Sequence, residues 1–161
     1  MELKSFKELD STELYEILKL RAEVFVIEQD CNYLDPDGQD YNAYHLYDKK
    51  DDQIVSYARL YESKEYCYIG RVLTSKSVRR EGYGINLMNE AIKHCKSLYP
   101  NKDIVISAQE YLLKFYGEFG FVAEGERYFE DNLPHFKMRI DRKSTRLNSS
   151  HVRTSRMPSS A

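Results

Sequence analysis

Short apolar runs separated by polar breaks dominate the first half of the chain. Residues 44–47, 54–61 and 66–74 carry the β-branched and aromatic side chains that are typical of strands, and residues 3–9 alternate well enough for a first strand. The turn-forming residues 35–38 precede the three runs. Consecutive strands with short polar connections predict an antiparallel meander.

Helical periodicity flanks this meander. Asp10 and Glu13 have the spacing of a capping box, and the residues that follow predict a helix that ends near Glu28. One face of that helix carries Leu14, Ile17, Leu18, Arg21 and Phe25. A second apolar stripe predicts a core helix over residues 85–98, which Pro100 ends.

The remaining sequence alternates between strand-like and helix-like runs. Residues 104–106 are wholly apolar, residues 110–119 predict a helix, and residues 121–129 and 136–140 predict two more strands. Together with the meander, this order predicts an α/β fold with a mixed α+β sheet. We expect one parallel pair, between residues 104–106 and 66–74, which splays at its carboxyl end and opens a cleft.

Composition and charge narrow the possible functions. The 161 residues, 42% hydrophobic, suit one domain, which we place at residues 1–141. Residues 142–161 predict disorder and resemble translated sequencing-adapter sequence, so we treat them as a non-native tail. Five of the 24 basic and none of the 26 acidic residues follow Asp141, which leaves 19 against 26 and a formal charge of −7 on residues 1–141. Such an acidic body predicts no nucleic-acid binding.

The apolar runs and the cysteines predict the cellular compartment and whether the protein binds a metal. No apolar run approaches the roughly 20 residues of a membrane span and residues 1–10 are charged, so we expect no membrane partner and a cytoplasmic protein. Cys31, Cys67 and Cys95 are odd in number and lack metal-ligand spacing, which predicts free thiols and no metal site. The oligomeric state leaves no signal in the sequence.

A glycine-containing loop, residues 79–84, lies between a predicted strand and a predicted helix. Glycines at a helix start let backbone N–H groups approach an anion, which the helix dipole also favours. From these residues alone, a phosphate-binding loop and an ordinary turn stay equally open. A P-loop is excluded because no Lys-Ser or Lys-Thr follows Gly84, and a dinucleotide-binding loop because Leu87 replaces its third glycine.

A second motif, residues 115–121 (FYGEFGF), follows the loop. Together with Arg79-x-x-Gly82-x-Gly84, it resembles the motifs of the GCN5-related N-acetyltransferase (GNAT) superfamily. Further segments are similar to the ElaA-type branch of that superfamily: residues 20–29, 69–72, 107–109 and 128–135. The similarity covers residues 1–141 and implies an acyl-CoA N-acyltransferase fold, with helices around a mostly antiparallel sheet that contains a splayed parallel pair.

The resemblance also implies a co-substrate, acetyl-CoA, and roles for single residues. The pantetheine arm would pair with the backbone of Val72, Leu73 and Thr74, and Gln109 would face it. Tyr116 would protonate the departing CoA thiolate. The pyrophosphate would bind to Arg79, Arg80, Glu81, Gly82, Tyr83, Gly84 and Ile85.

Acetyl transfer from a thioester to an amine requires a neutral amine, a stabilised oxyanion and a proton for the leaving sulfur. A phenol carries that proton at neutral pH, because its usual pKa is about 10. The general base stays open among four residues: Glu28, Glu130, Asp131 and His135. Of these, Glu28 and His135 are slightly favoured, and each has a purely structural alternative. We expect no acylation of Cys31, since no base is recognisably paired with it.

Three hypotheses follow. The first is an N-acetyltransferase that moves an acetyl group to a primary amine of a small molecule or peptide by direct attack in a ternary complex. The second is a CoA-binding sensor or interaction domain without turnover. The third, a plain structural domain, requires both motifs to be accidental. The presence of Tyr116 favours the enzyme, and an acidic body suits a cationic acceptor.

Overall fold

Seven strands form one sheet in the computed structural model, which describes residues 1–142. In chain order they are β1 (Glu2–Ser5), β2 (Tyr44–Lys50), β3 (Gln53–Glu62), β4 (Tyr66–Thr74), β5 (Asp103–Gln109), β6 (Val122–Glu130) and β7 (Leu133–Ile140). Their spatial order is β1-β2-β3-β4-β5-β7-β6, and the neighbours are antiparallel except for β4 and β5. The predicted mixed α/β fold is confirmed.

Within the same residues, three α-helices flank the sheet: α1 (Ser11–Arg21), α2 (Tyr83–Leu98) and α3 (Leu113–Gly117). α1 continues as a π-helix, Ala22–Glu28. The Asp10 carboxylate accepts the Glu13 N–H, and the Glu13 carboxylate accepts the Asp10 N–H in return. The predicted capping box is therefore confirmed, as is a helical segment that ends at Glu28.

Two predicted elements are shorter than the sequence pattern suggested. The strand predicted over residues 3–9 ends at Ser5, whose N–H donates to the Glu8 carboxylate at 2.8 Å and so starts a 3₁₀ turn. The helix predicted over residues 110–119 begins with a 3₁₀ turn and is α-helical only over Leu113–Gly117. Single 3₁₀ turns are too short to show a hydrophobic period, so the pattern extended the neighbouring element through them.

The predicted tail lies almost entirely outside the described residues. Arg142 is its one described residue, and the backbone N–H of Arg142 donates to the Asp103 carboxylate at the start of β5, at 3.0 Å. The prediction of disorder over the rest of the tail concerns residues 143–161, outside the described part of the chain.

The helices α1 and α2 pack on opposite faces of the sheet. Along β3, Ala58 and Leu60 belong to the core beneath α2, whereas Tyr57, which precedes Ala58, packs with Ile17 of α1. The predicted apolar stripe of α2 is buried through Leu87, Met88, Ala91 and Cys95. The predicted free thiols are also confirmed, because all three cysteines are buried and none forms a disulfide bond.

The parallel contact between β4 and β5 is short. It pairs Tyr66 with Asp103, Cys67 with Ile104 and Tyr68 with Val105. Beyond these pairs β4 runs on to Thr74 beside β3, while β5 runs on to Gln109 beside β7. The two halves of the sheet therefore diverge, and the predicted splayed pair is confirmed as a gap between the ends of β4 and β5.

Arg21 is fully buried, although the helical pattern placed it on an apolar face. Its guanidinium donates to the carboxylates of Asp35 and Asp40 at 2.7 Å each. Burial opposes ionisation of Asp40, but the hydrogen bonds and the charge of Arg21 outweigh burial and lower the pKa of Asp40. The loop after the π-helix is thus attached to α1 by a buried ion pair.

Two further arginines, on neighbouring strands, complete this attachment. Arg59 of β3 donates to Asp37 at 2.8 Å and to Asp40 at 3.0 Å. Arg71 of β4 donates to Asp35 at 2.7 Å. We call the set the arginine–aspartate network: Arg21, Arg59, Arg71, Asp35, Asp37 and Asp40. Its formal charges cancel, and it holds residues 29–43 against the sheet beside the gap.

Replacing Arg21 by alanine should lower the free energy of unfolding by about 3–5 kcal/mol, because the buried carboxylates of Asp35 and Asp40 each lose one of their two charged partners. Denaturant unfolding followed by circular dichroism measures the change. The control Lys19→Ala, at an exposed position of the same helix, should change that free energy by less than about 0.5 kcal/mol. An Arg21→Ala protein as stable as its parent would show that the network contributes nothing to stability.

Candidate active site

The gap between β4 and β5 belongs to a cleft of about 890 Å³. One wall consists of β4, the π-helix and the loop after it, and the opposite wall consists of β5, β6 and β7. Ten of the residues named as candidates for the site line this cleft: Glu28, Val72, Leu73, Thr74, Arg79, Gln109, Tyr116, Glu130, Asp131 and His135. The fold therefore brings residues from distant parts of the chain to one place.

A β-bulge lies in β4 beside the gap. The register on its two sides pairs Tyr57 with Leu73 and Arg59 with Gly70. Arg71 and Val72 together therefore oppose a single residue of β3, and Arg71 has a φ of +52°, in the left-handed region. Because β5 has already diverged, neither residue has a register partner on the described strands. The edge of β4 that faces the gap therefore has no strand beside it here, and backbone groups on that edge can pair with a ligand in the cleft.

The glycine-containing loop leads into the N-terminus of α2. Gly82 is the N-cap, with a φ of +88°, and it provides no side chain to cap the first-turn N–H groups. Arg80 before it also has a positive φ, of +70°. Arg79 lines the cleft, whereas the other predicted loop residues are not among its lining residues: Arg80, Glu81, Gly82, Tyr83, Gly84 and Ile85.

Arg79 joins the loop to both neighbouring elements. Its guanidinium donates two hydrogen bonds to the Glu28 carboxylate, one of them 3.1 Å long, and a third to the Thr74 carbonyl at 3.1 Å. Glu28 is therefore an ion-pair partner rather than a free carboxylate at a helix end. Nε of Arg79 and Oγ1 of Thr74 are buried without a hydrogen-bond partner among the described residues.

Tyr116 lies on α3 at the side of the cleft. It is 6% exposed, and its ring packs edge-on against Phe115 and Phe121, with centroid distances of 5.2 and 6.2 Å. Burial, and to a lesser degree the charge of Tyr111, raises the pKa of the Tyr116 phenol. Tyr116 therefore keeps its proton at neutral pH.

The wall opposite β4 is one face of three paired strands. Gln109 of β5 is the register partner of His135 on β7, and His135 is the register partner of Tyr128 on β6. Register partners in antiparallel strands point to the same face. Gln109 donates to the side chain of Gln29 across the cleft at 3.3 Å. Gln109 thus faces the cleft and also links its two walls.

Cys31 forms a second link between the walls. Its thiol donates to the backbone carbonyl of Asp131 at 3.5 Å. Burial, followed by the charges of Asp131 and Asp30, raises the pKa of the Cys31 thiol. A thiol with a raised pKa forms little of the reactive thiolate at neutral pH. This environment agrees with the expectation that Cys31 is not acylated.

Sequence reasoning missed four charged residues that also line the cleft: Asp37, Arg59, Arg71 and Lys137. One signal was present, because Arg59 stands in the middle of an apolar strand-like run, and arginine is rarely buried there without a partner. The identity of its partners had no signal, since Asp37 and Asp40 lie in a loop far from Arg59 along the chain.

Comparison with known proteins agrees with this geometry. Residues 21–142 match the family model of the acetyltransferase (GNAT) domain. The match covers more than half of the chain, and the chain therefore belongs to the GNAT family of acetyltransferases.

Its relatives narrow the branch. The chain is 40% identical to the protein ElaA of Escherichia coli over 136 residues, which are 81% of this chain and 89% of ElaA. The crystal structure of E. coli ElaA superposes with a TM-score of 0.83, at 39% identity, over 88% of this chain and 100% of that chain. An acyl-CoA N-acyltransferase from Pseudomonas aeruginosa gives a TM-score of 0.82 at 38% identity, over 86% and 97%. The chain is thus an ElaA-like member of the GNAT family.

The described residues add two negative findings. No helix within residues 1–142 is long and apolar enough to cross a membrane. In the same residues, no group of three or more His, Cys, Asp or Glu side chains is arranged to hold a metal ion.

The burial of the thiols predicts slow labelling. Ellman's reagent should react with the folded protein at least about 10²-fold more slowly than with the unfolded chain, because all three cysteines are buried. Absorbance at the thionitrobenzoate band follows the reaction. The variant Ser77→Cys, at an exposed position, should add one rapidly reacting thiol. A fast thiol in the parent that Cys31→Ala abolishes would contradict the inert role of Cys31.

Proposed function

We propose that the chain is an acetyl-CoA-dependent N-acetyltransferase that acts on a primary amine of a small molecule or peptide. The observation that carries the proposal is the presence, in one cleft, of an edge of β4 that β5 no longer covers and a buried phenol on α3. The first suits an acylated pantetheine arm, and the second suits a leaving thiolate that needs a proton. Similarity to the P. aeruginosa acyl-CoA N-acyltransferase supports the acyl-CoA donor class; the acetyl group is our proposal.

Three features of the cleft support CoA as the donor. An extended pantetheine arm carries amide groups, and Val72, Leu73 and Thr74 lie where β5 has diverged from β4, so the arm can pair with them like an added strand. Thr74 also lines the cleft, so its backbone belongs to the surface that the arm would contact. Gln109 lines the cleft on the opposite wall, from which it would face the arm.

The start of α2 is suited to bind the pyrophosphate of CoA. The N–H groups in the first turn of α2 have no side-chain cap, and the helix dipole favours an anion there. Left-handed backbone at Arg80 and Gly82 turns the chain sharply before the helix. We assign the pyrophosphate to the whole loop, with Arg79, Arg80, Glu81, Gly82, Tyr83, Gly84 and Ile85.

The reaction needs no covalent enzyme intermediate. The amine nitrogen attacks the thioester carbonyl carbon, the C–N bond forms, and the C–S bond pair leaves on sulfur. Tyr116 gives its proton to that sulfur. Backbone N–H groups on the edge of β4 that faces the gap would stabilise the negative charge that develops on oxygen, since β5 no longer pairs with that edge.

Glu28 and His135 lie on opposite walls, and we propose both as acceptor-side residues. The Glu28 carboxylate is held by Arg79, whereas the His135 ring faces the cleft from β7. The formal charge of −7 on residues 1–141 favours the approach of a cationic amine. Three unbonded thiols agree with a reducing, cytoplasmic compartment.

Binding of the donor can be tested without an acceptor. Acetyl-CoA at about 100 times its Kd should stabilise the folded protein by about 2.7 kcal/mol, which raises Tm by roughly 5–10 °C. Differential scanning fluorimetry measures the shift, with adenosine 3′,5′-bisphosphate as a control that lacks pyrophosphate and pantetheine. Absence of a shift at millimolar acetyl-CoA would contradict the proposed donor.

The rate of CoA release tests the proposed role of Tyr116 as the general acid. Tyr116→Phe should lower the rate of CoA release with a panel of primary amines by about 10²-fold and leave the acetyl-CoA melting shift intact, because the ring packing is kept. The control Tyr15→Phe removes a hydroxyl from a side chain that is 71% exposed and should change neither quantity. A parent protein that shows the melting shift but releases no CoA with any amine would favour a CoA-binding sensor or interaction domain.

A further inference from the structure

The ring of His135 is positioned between two acceptor atoms. Nδ1 lies 2.7 Å from the backbone carbonyl oxygen of Leu133, and Nε2 lies 3.5 Å from Oε2 of Glu130. A carbonyl oxygen can only accept, so Nδ1 carries a proton in the neutral ring as well as in the charged one. The neutral ring therefore presents the lone pair of Nε2 to a carboxylate. When Nε2 is protonated, the repulsion between its lone pair and the Glu130 carboxylate is replaced by a charge-assisted contact.

Glu130 is held in place by a directed chain of hydroxyl groups. The Ser107 hydroxyl donates to Oε1 of Glu130 at 3.2 Å, which leaves Oε2 to face His135. Because Ser107 has one proton to donate, the Tyr128 hydroxyl bonded to it is the donor in their contact. The Tyr128 ring also stacks on His135, with centroids 6.0 Å apart and planes 24° apart.

These four side chains, Ser107, Tyr128, Glu130 and His135, all line the cleft, and we call them the His135 cluster. They come from β5, β6 and β7, whose register fixes their positions. The His135 side chain is 9% exposed and the Glu130 side chain 51% exposed. The cluster thus connects a nitrogen inside the cleft to a carboxylate in contact with solvent.

The other favoured base is less suited to accept a proton. Both oxygens of Glu28 already accept hydrogen bonds from the Arg79 guanidinium. A permanent cation at that carboxylate competes with any proton that approaches it. Nε2 of His135 has no such competitor, because its neighbour is an anion.

We propose that His135 is the general base of this acyltransferase and that Glu130 stabilises its charged form. The inference rests on the proposed acetyl transfer. Nε2 takes one proton from the acceptor ammonium, and the neutral amine then uses its lone pair to form the C–N bond. Tyr116 protonates the sulfur that leaves with the C–S bond pair, and the proton lost from the new amide nitrogen restores Tyr116. The single proton released overall leaves from His135 past Glu130.

Two acceptors that differ in basicity test this role. One is a primary alkylamine whose conjugate acid has a pKa of about 10, and the other a fluorinated alkylamine with a pKa of about 6, already neutral at about pH 7.5. His135→Gln should lower kcat/KM for the basic amine by about 10²-fold or more and for the neutral amine by less than about threefold. Glu130→Gln should show the same selectivity, with a loss of about tenfold for the basic amine.

Two controls separate a proton-transfer role from a structural one. His94→Gln removes a histidine of α2 that does not line the cleft, and it should leave both rates unchanged. Tyr116→Phe should lower both rates to a similar degree, because the leaving sulfur is the same in the two reactions.

If both His135→Gln and Glu130→Gln lower kcat/KM equally for the two amines and keep the acetyl-CoA melting shift, His135 is not the general base. That result would leave the proposed acetyl transfer standing. If His135→Gln does not fold, Glu130→Gln decides, since its side chain is half exposed and tolerates the exchange. A parent that acetylates neither amine would overturn the proposed function itself. The two failures are therefore distinguishable.

Discussion

The divergence of β4 and β5 after three residue pairs is the constraint on which the site depends. Each strand continues beside its outer neighbour, β3 or β7, so the sheet stays intact on both sides of the gap. Backbone that loses a strand partner must find another acceptor or donor, because an unpaired buried group costs about 1–3 kcal/mol. The gap is therefore an opening with unsatisfied polar edges, which is the form of a site for an amide-containing ligand.

The divergence also requires something to keep the walls in place. On the β4 side this is done by the arginine–aspartate network, which fastens the loop of residues 29–43 to α1, β3 and β4. Such a buried network costs desolvation, so its main contribution is to specify one arrangement of the loop. On the other side, the register of β5, β7 and β6 positions the His135 cluster without any loop.

The sequence predicted those parts of the fold that repeat with a regular period. The stripe of α2, the capping box at Asp10 and the strands of the meander all follow local rules, and the structure contains them. Features that depend on a single residue, or on two residues far apart along the chain, leave no periodic pattern in the sequence. The bulge at Arg71 and the pairing of Arg79 with Glu28, 51 positions away, belong to this second group.

The candidate site was predicted mainly through resemblance. Motif order placed Tyr116 and the glycine-containing loop at a common ligand, whereas periodicity alone gave only a cleft at the carboxyl end of a parallel pair. The contact of His135 with Glu130 depends on the register of β6 against β7, with its irregularity between Glu124 and Tyr128. Register of this kind is set by tertiary packing, and a linear pattern does not contain it.

The bulge in β4 also decides which hydrophobic core the strand serves. Before it, Cys67 and Ile69 pack beneath α2; after it, Leu73 packs in the cluster on the α1 face, although its place in a regular alternation is the α2 face. Because of the one extra residue in the bulge, the single strand β4 contributes side chains to the hydrophobic clusters on both faces of the sheet. The number of residues between Ile69 and Leu73 is therefore fixed by the need to place these two side chains on opposite faces of the sheet. A one-residue insertion or deletion there would exchange the two faces, so the same residue count governs the cohesion of the layers and the opening between the strands.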